Sequence, residues 1–260
     1  MSLTQKLGKK GRFAKVSTRT LKKGGIMSGK IRWLGHSFVE FTTADDKVIL
    51  FDPWTKEDGN PTCPIETEDI ERADLVLISH DHFDHIGSAA AVCNKTGALL
   101  GGPVQTVKRL IDEGFNEAQV VNFGFGYMVG GGVELDWVQV TATPAFHSSD
   151  TACALGNIAT AVDGTTVYHA GDTSLFSEME LYGRLYPIDV AILPIGGTFT
   201  MDAYQAGEAV KMIKPKMVMP IHYASFPIIA KTADEFVKQC GAKAPNVKLL
   251  IPAVGESVNI

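Results

Sequence analysis

The sequence predicts a mixed α/β architecture, two sheets with helices packed on their outer faces. Three observations carry this. Strand-like segments come first, without a helix between them. Strands and helices then alternate in two similar halves. Glycine, proline and aspartate turn signals punctuate both halves at short spacing. An apolar fraction of 45% and a charged fraction of 20% are ordinary for a globular chain. At 260 residues it can bury a large core without disulfide staples.

Residues 30–34, 37–42 and 47–51 have strand character, and the polar turn Ala44-Asp45-Asp46 joins the last two. Residues 75–79 form a short apolar run. A helix is expected over 86–95, closed by Gly97, and another over 104–113, closed by Gly114. A strand around 137–143 follows glycine turns. The segment GNIATAVDGTTVYHAGDT reads as a hairpin on its Asp163-Gly164 turn. A helix over 177–185 and a buried strand at 190–194 come next. Asp202 and Gln205 have capping-box spacing for a helix over 202–213. A strand at 217–221, a helix over 233–240 ended by Gly241, and a last strand at 247–251 complete the order.

Charge is uneven. Residues 1–30 hold nine basic residues and no acidic one, leaving 15 basic against 29 acidic in the remainder, a net −14. The expected organisation is a basic extension over 1–29 followed by one domain over 30–260. A Lys-Gly-Gly run precedes Met27, so Met27 is a candidate native start, with 1–26 a misassigned extension. An acidic body does not attract nucleic acid. No apolar run reaches the ~18 residues of a membrane span, and no secretory signal stands at the start. Cys63, Cys93, Cys153 and Cys240 are scattered and form no C-x-x-C pair. Four reduced thiols in a cytoplasmic protein are therefore expected.

The chemistry lies in LISHDHFDHIGS, residues 77–88. His80, Asp81, His82, Asp84 and His85 crowd the end of a core strand, where polar groups are costly to bury unpaired. His80 and His82, two apart in extended chain, point the same way. Asp84 and His85 follow where strand hands over to helix. Neutral imidazoles and carboxylates are ligands that Zn, Mn and Fe accept. One short motif rarely completes a metal site. His147 in TPAFHSSD, Asp172 in YHAGDT and His222 in MPIHYASFP each follow an apolar run, where loops present functional groups.

The series His80-x-His82-x-Asp84-His85, His147, Asp172, His222 resembles the ligand set of the metallo-β-lactamase fold. The stretches IRWLGHSFVEF, FDPW, HAGDT, PIGGTFTM and PIHYASFP are similar to one bacterial and archaeal branch of metal-dependent hydrolases, itself similar to ascorbate-6-phosphate lactonases. The resemblance implies a four-layer αβ/βα sandwich with two divalent ions at one edge, zinc foremost, with manganese or iron as alternatives. One ion would take His80, His82 and His147, the other Asp84, His85 and His222, with Asp172 bridging. The implied activity is hydrolysis of an ester, lactone, phosphoester or related bond in a small molecule by a hydroxide held between the ions. Asp84 is also the candidate proton shuttle. His36 and Tyr223 are candidates for substrate contact, and Asp52 for orienting other groups. Asp81 stands outside the ligand pattern, and His169 is expected to be structural. Gly196-Gly197 is a turn before a helix.

Three alternatives stay open. A nuclease of the same fold is one, although the 49 residues between Asp172 and His222 leave no room for a large inserted domain. A mono-iron oxygenase is another; diiron relatives carry Glu where this chain has His82. A non-catalytic binding protein is the third, and all seven ligand positions being filled speaks against it. A homo-oligomer is open, and no membrane partner is expected.

Overall fold

The early strands pair as a meander in a computed structural model that describes residues 29–260. The expectations for the basic segment through residue 28, including Met27, lie outside the described residues. β1 (Lys30–Trp33), β2 (Val39–Thr42) and β3 (Val48–Phe51) pair antiparallel, and Asp46 takes φ 59° in the turn joining the last two. The sheet then turns parallel through β4 (Leu75–Leu77) and β5 (Leu99–Gly101).

The second sheet begins as an antiparallel run of β6 (Gly132–Glu134), β7 (Val138–Pro144), β8 (Leu155–Ala161) and β9 (Thr166–His169). Gly164 supplies the φ of 94° that the β8–β9 turn needs. It continues parallel through β10 (Val190–Pro194), β11 (Met217–Ile221) and β12 (Lys248–Leu249). A last strand, β13 (Ser257–Asn259), returns to pair with β1.

Side-chain alternation assigns the layers. Ile49, Phe51, Leu75 and Leu77 belong to the core shared with the second sheet. Their neighbours Leu50, Val76 and Ile78 belong to a separate core with Val92, Cys93 and Val107. Successive residues of a strand face opposite ways, so these strands are buried on both faces. α1 (Phe83–Ile86) opens the helical segment after β4. α2 (Ala89–Thr96) and α3 (Val104–Asp112) cover the first sheet. α4 (Glu178–Leu185), α5 (Ala203–Ile213) and α6 (Asp234–Lys243) belong to the second half, α5 packing against both others. Asp202 caps α5, its carboxylate accepting from Gln205 N at 2.8 Å. The result is the four-layer sandwich that the sequence predicts.

Three elements differ from expectation. The helix expected over 86–95 is two helices, broken at Gly87 (φ 23°, ψ −114°). A Cβ there would lie 2.9 Å from Trp54 Cα, so the chain bends to pass the segment after β3, and Ser88 N donates to Pro53 O at 2.8 Å. Gly241 lies inside α6 and does not end it. Burial of Phe236 and Cys240 outweighs a glycine penalty of about 1 kcal/mol. The strand expected at 247–251 shrinks to two residues, with Leu250 turned inward and Pro252 unable to donate. β5 and β13, three residues each, are too short to show a period. Among the described residues no helix is long and apolar enough to cross a membrane.

Candidate metal centre

The strand ends converge at one edge of the sandwich. His80 follows β4, His147 follows β7, Asp172 follows β9 and His222 follows β11 directly. His80 Nε2 lies 3.0 Å from His82 Nδ1, and His82 Nδ1 lies 3.3 Å from His147 Nε2. His80, His82 and His147 thus form one group able to hold a cation. Asp84, His85 and His222 form a second, to which the structure adds His36. Asp172 Oδ2 lies between the groups, 3.0 Å from His222 Nε2, 3.3 Å from His85 Nε2 and 3.6 Å from His147 Nε2. All seven ligand candidates of the sequence are brought together.

Several buried polar atoms here make no hydrogen bond: His36 Nε2, His85 Nε2, His222 Nδ1 and Asp172 Oδ1. Orphaned buried polar atoms are rare in folded proteins, and so many at one place call for a ligand. A mixed nitrogen and oxygen donor set suits divalent Zn, Mn or Fe. His80, His36 and Asp84 are also in ligating form. Burial pushes His80 down to about 3 and His36 to about 4, so both imidazoles are neutral at pH 7. Burial alone would raise Asp84, but the His36 contact and the nearby His85 hold it well below the usual carboxylate range. Burial lowers His85, yet Asp172 and Asp52 more than reverse this and raise it. The carboxylates that favour a proton on His85 equally favour a cation at Nε2.

Supporting residues fix the donors. Asp52 follows β3 and is buried; its Oδ2 accepts from His85 Nδ1 at 2.8 Å and from Ser79 Oγ at 2.7 Å. Its Oδ1 accepts from Ser79 N at 2.7 Å. Ser79 Oγ also lies 2.9 Å from His80 Nδ1. His36 is fully buried, 2.6 Å from Ser225 Oγ through Nδ1 and 3.2 Å from Asp84 Oδ2 through Nε2. It stands behind Asp84 rather than on the open side of the centre.

The backbone is held in unusual conformations to do this. His36, Asp52, His222 and Ala224 all have positive φ, at 50°, 44°, 58° and 66°. Such conformations cost a non-glycine residue about 1–3 kcal/mol and gather at functional sites. His36 O anchors two of them by accepting from His222 N and Trp33 Nε1, each at 3.0 Å. Gly196 is required beside His222: a Cβ there would lie 2.7 Å from His222 Nδ1.

The other candidates lie around the centre. Tyr223 stacks on Trp33 at 4.8 Å, is nearly buried, and is not part of the cavity wall. His169 stacks on Phe51, lies 3.0 Å from Ser37 O through Nε2, and accepts from Gly171 N through Nδ1. Asp81 accepts from Ser149 Oγ, Asp150 N and Thr151 Oγ1, pinning the loop after His147. Ser79 and Ser225 escaped sequence reasoning. Ser79 sits directly before the histidine motif, which is a usable signal; Ser225 has none. A cavity of about 780 Å³ opens over His82, Asp84, His147, Asp172 and His222.

Comparison with known proteins follows the same boundaries. The family model described as "Beta-lactamase superfamily domain" matches residues 30–222. The chain belongs to the metallo-β-lactamase superfamily. Like the relatives that follow, it is a metal-dependent hydrolase. A protein of Nitratidesulfovibrio vulgaris (strain DP4) named "UPF0173 metal-dependent hydrolase" is 44% identical over 234 residues, covering 90% of this chain and 96% of the relative. One of Thermococcus onnurineus with the same name is 42% identical over 220 residues, covering 83% and 93%. Among solved structures, Igni18, a metallo hydrolase of the archaeon Ignicoccus hospitalis, superposes with a TM-score of 0.80 at 38% identity, over 90% of this chain and 98% of its own. Six of this chain's seven histidines gather at these strand ends, within the residues that the family model matches.

Proposed function

We propose that this hydrolase cleaves an ester, lactone or related bond of a small molecule at a centre of two divalent cations. His80, His82 and His147 would hold one, Asp84, His85 and His222 the other, with Asp172 between them. The observation that carries this reading is the position of Asp172 Oδ2, within 3.6 Å of histidines from three separate elements. Bound divalent ions supply Lewis acidity and make hydroxide available from water near neutral pH.

The chain's own residues do the rest. The floor of the cavity orients the scissile carbonyl over the donor cluster. Hydrolysis adds water across the C–O bond: oxygen bonds to the acyl carbon, and the leaving oxygen takes a proton. Asp84 lines the cavity and is ionised, so it is placed to receive the water proton and pass it to the leaving oxygen. His36 holds Asp84 Oδ2 from behind, with Ser225 fixing its ring. His36 is thus a positioning residue that acts through Asp84. A net −14 over residues 31–260 disfavours a nucleic-acid substrate.

The test is metal content after gentle purification, then activity on lactone, carboxylic ester, thioester and phosphodiester panels with Zn, Mn and Fe supplied separately. About two equivalents of metal and turnover of a carboxylic ester or lactone are expected. Less than one equivalent, with no substrate turned over, would sink the reading.

A further inference from the structure

The cavity above the donor cluster has two unlike walls, and the difference identifies the substrate class. One wall is apolar: Phe83 and Ile86 come from α1, Phe226, Pro227 and Ile228 from the loop after β11, and Phe199 from the loop after β10. Phe83, Phe199 and Ile228 remain 65%, 55% and 61% exposed, so they are large apolar groups held in water beside a polar floor. They are held there by construction. Thr198 Oγ1 donates to Ile228 O at 3.0 Å and Ala230 N to Gly196 O at 3.0 Å, locking the two loops together. Phe226 stacks on Trp54 at 5.8 Å, and Phe83 meets Trp54 edge-on at 5.6 Å, which gives the wall a rigid backing.

The rest of the lining is polar, with Asp81, Asp84, Asp150 and Asp172 against one arginine. Arg109 is the cation in the lining, and its guanidinium lies 3.2 Å from Asp81 and 3.6 Å from Glu113. Asp81 is engaged with the loop after His147, and Asp150 adds a further negative charge. A phosphate or sulfate on the substrate's distal arm would meet Asp81 and Asp150 beside Arg109, whose charge Asp81 and Glu113 offset. An apolar arm would displace water from Phe83, Phe199 and Ile228, a gain proportional to the area covered.

We infer that the substrate is an ester or lactone with an uncharged apolar arm, aliphatic or aryl. The arm lies along Phe83, Phe199, Phe226 and Ile228 while the carbonyl meets the polar floor. This rests on the hydrolytic reading above and adds its specificity.

The experiment uses the purified metal-loaded protein and p-nitrophenyl acetate, butyrate, hexanoate and octanoate. kcat/KM is expected to rise about threefold to fourfold for each methylene buried, the ratio equivalent to about 0.8 kcal/mol. Phe199→Ala and Ile228→Ala are expected to lower the octanoate-to-acetate ratio about tenfold. Calorimetric titration with 1-octanol and 1-butanol gives a readout independent of turnover, with octanol expected to bind at least tenfold tighter. A flat chain-length series with flat alkanol binding overturns the inference, as does preference for a phosphorylated sugar lactone. Dissociation of a dimer by both variants without change in the octanoate-to-acetate ratio also overturns it, because the wall would then be a contact between copies. Octanol binding without turnover of any ester would instead remove the hydrolytic reading and leave the apolar site standing.

Discussion

Replacing Asp52 by Asn tests how the metal centre is held without touching a proposed ligand. The carboxylate accepts three bonds, from His85 Nδ1, Ser79 Oγ and Ser79 N, all at 2.7–2.8 Å and all buried. An amide of the same shape has one acceptor oxygen. If its NH₂ faces His85, Nδ1 must become the acceptor, the ring proton moves to Nε2, and the nitrogen aimed at the centre can no longer ligate. If the amide flips, its NH₂ opposes the Ser79 N–H and leaves a buried backbone donor unpaired. That loss costs about 1–3 kcal/mol. Substitution behind a metal-binding His typically weakens metal affinity about 10–100-fold, or about 1.4–2.8 kcal/mol. In Asp52→Asn, one metal equivalent should bind 10–100-fold more weakly while the other changes little. The metal-free Tm should fall by about 2–12 °C, at roughly 2–4 °C per kcal/mol for a chain of this size. Competition against a chromophoric chelator measures the first and circular dichroism the second. Two equivalents bound with affinities within twofold of the parent protein would refute the reasoning.

Four further outcomes are expected. His222→Ala should lower the bound metal to about one equivalent by mass spectrometry of the native protein, because His222 belongs to only one donor group; unchanged stoichiometry would remove it from the ligands. His36→Gln should lower kcat more than it raises KM and distort the visible spectrum of the Co(II)-substituted protein, since His36 acts through Asp84; an unchanged spectrum with unchanged kcat would contradict this. Gly87→Ala puts a Cβ 2.9 Å from Trp54 Cα at φ 23°, and urea denaturation should show a loss of about 1–3 kcal/mol. The metal-free protein should lose stability as pH falls from about 6.5 towards 4. His36 and His80, held down to about 4 and about 3, bind their protons only in the unfolded chain across that range. Each should contribute about 1.4 kcal/mol per pH unit. His85, raised above 6.5, is protonated in both states there and adds no slope. Urea midpoints at pH 7, 6 and 5 that do not fall would overturn this.

The order of strands and helices was legible because local chemistry enforced it. Short apolar runs, the Asp163-Gly164 turn and the Asp202 cap each fix their own element. The ligand candidates were legible too, since imidazole and carboxylate side chains at the ends of apolar strands have few roles that repay their burial. What the chain could not show along its length were contacts between distant segments. The break at Gly87 depends on Trp54, 33 positions away. β13 exists only because β1 offers it an open edge. Ser225 earns its place by reaching His36 across 189 positions. The apolar wall combines residues of α1 with two later loops. Sequence alone determined which side chains could bind a cation; folding decided their distances, their burial and which remained without partners, because those properties belong to pairs of residues that neighbour one another only in space.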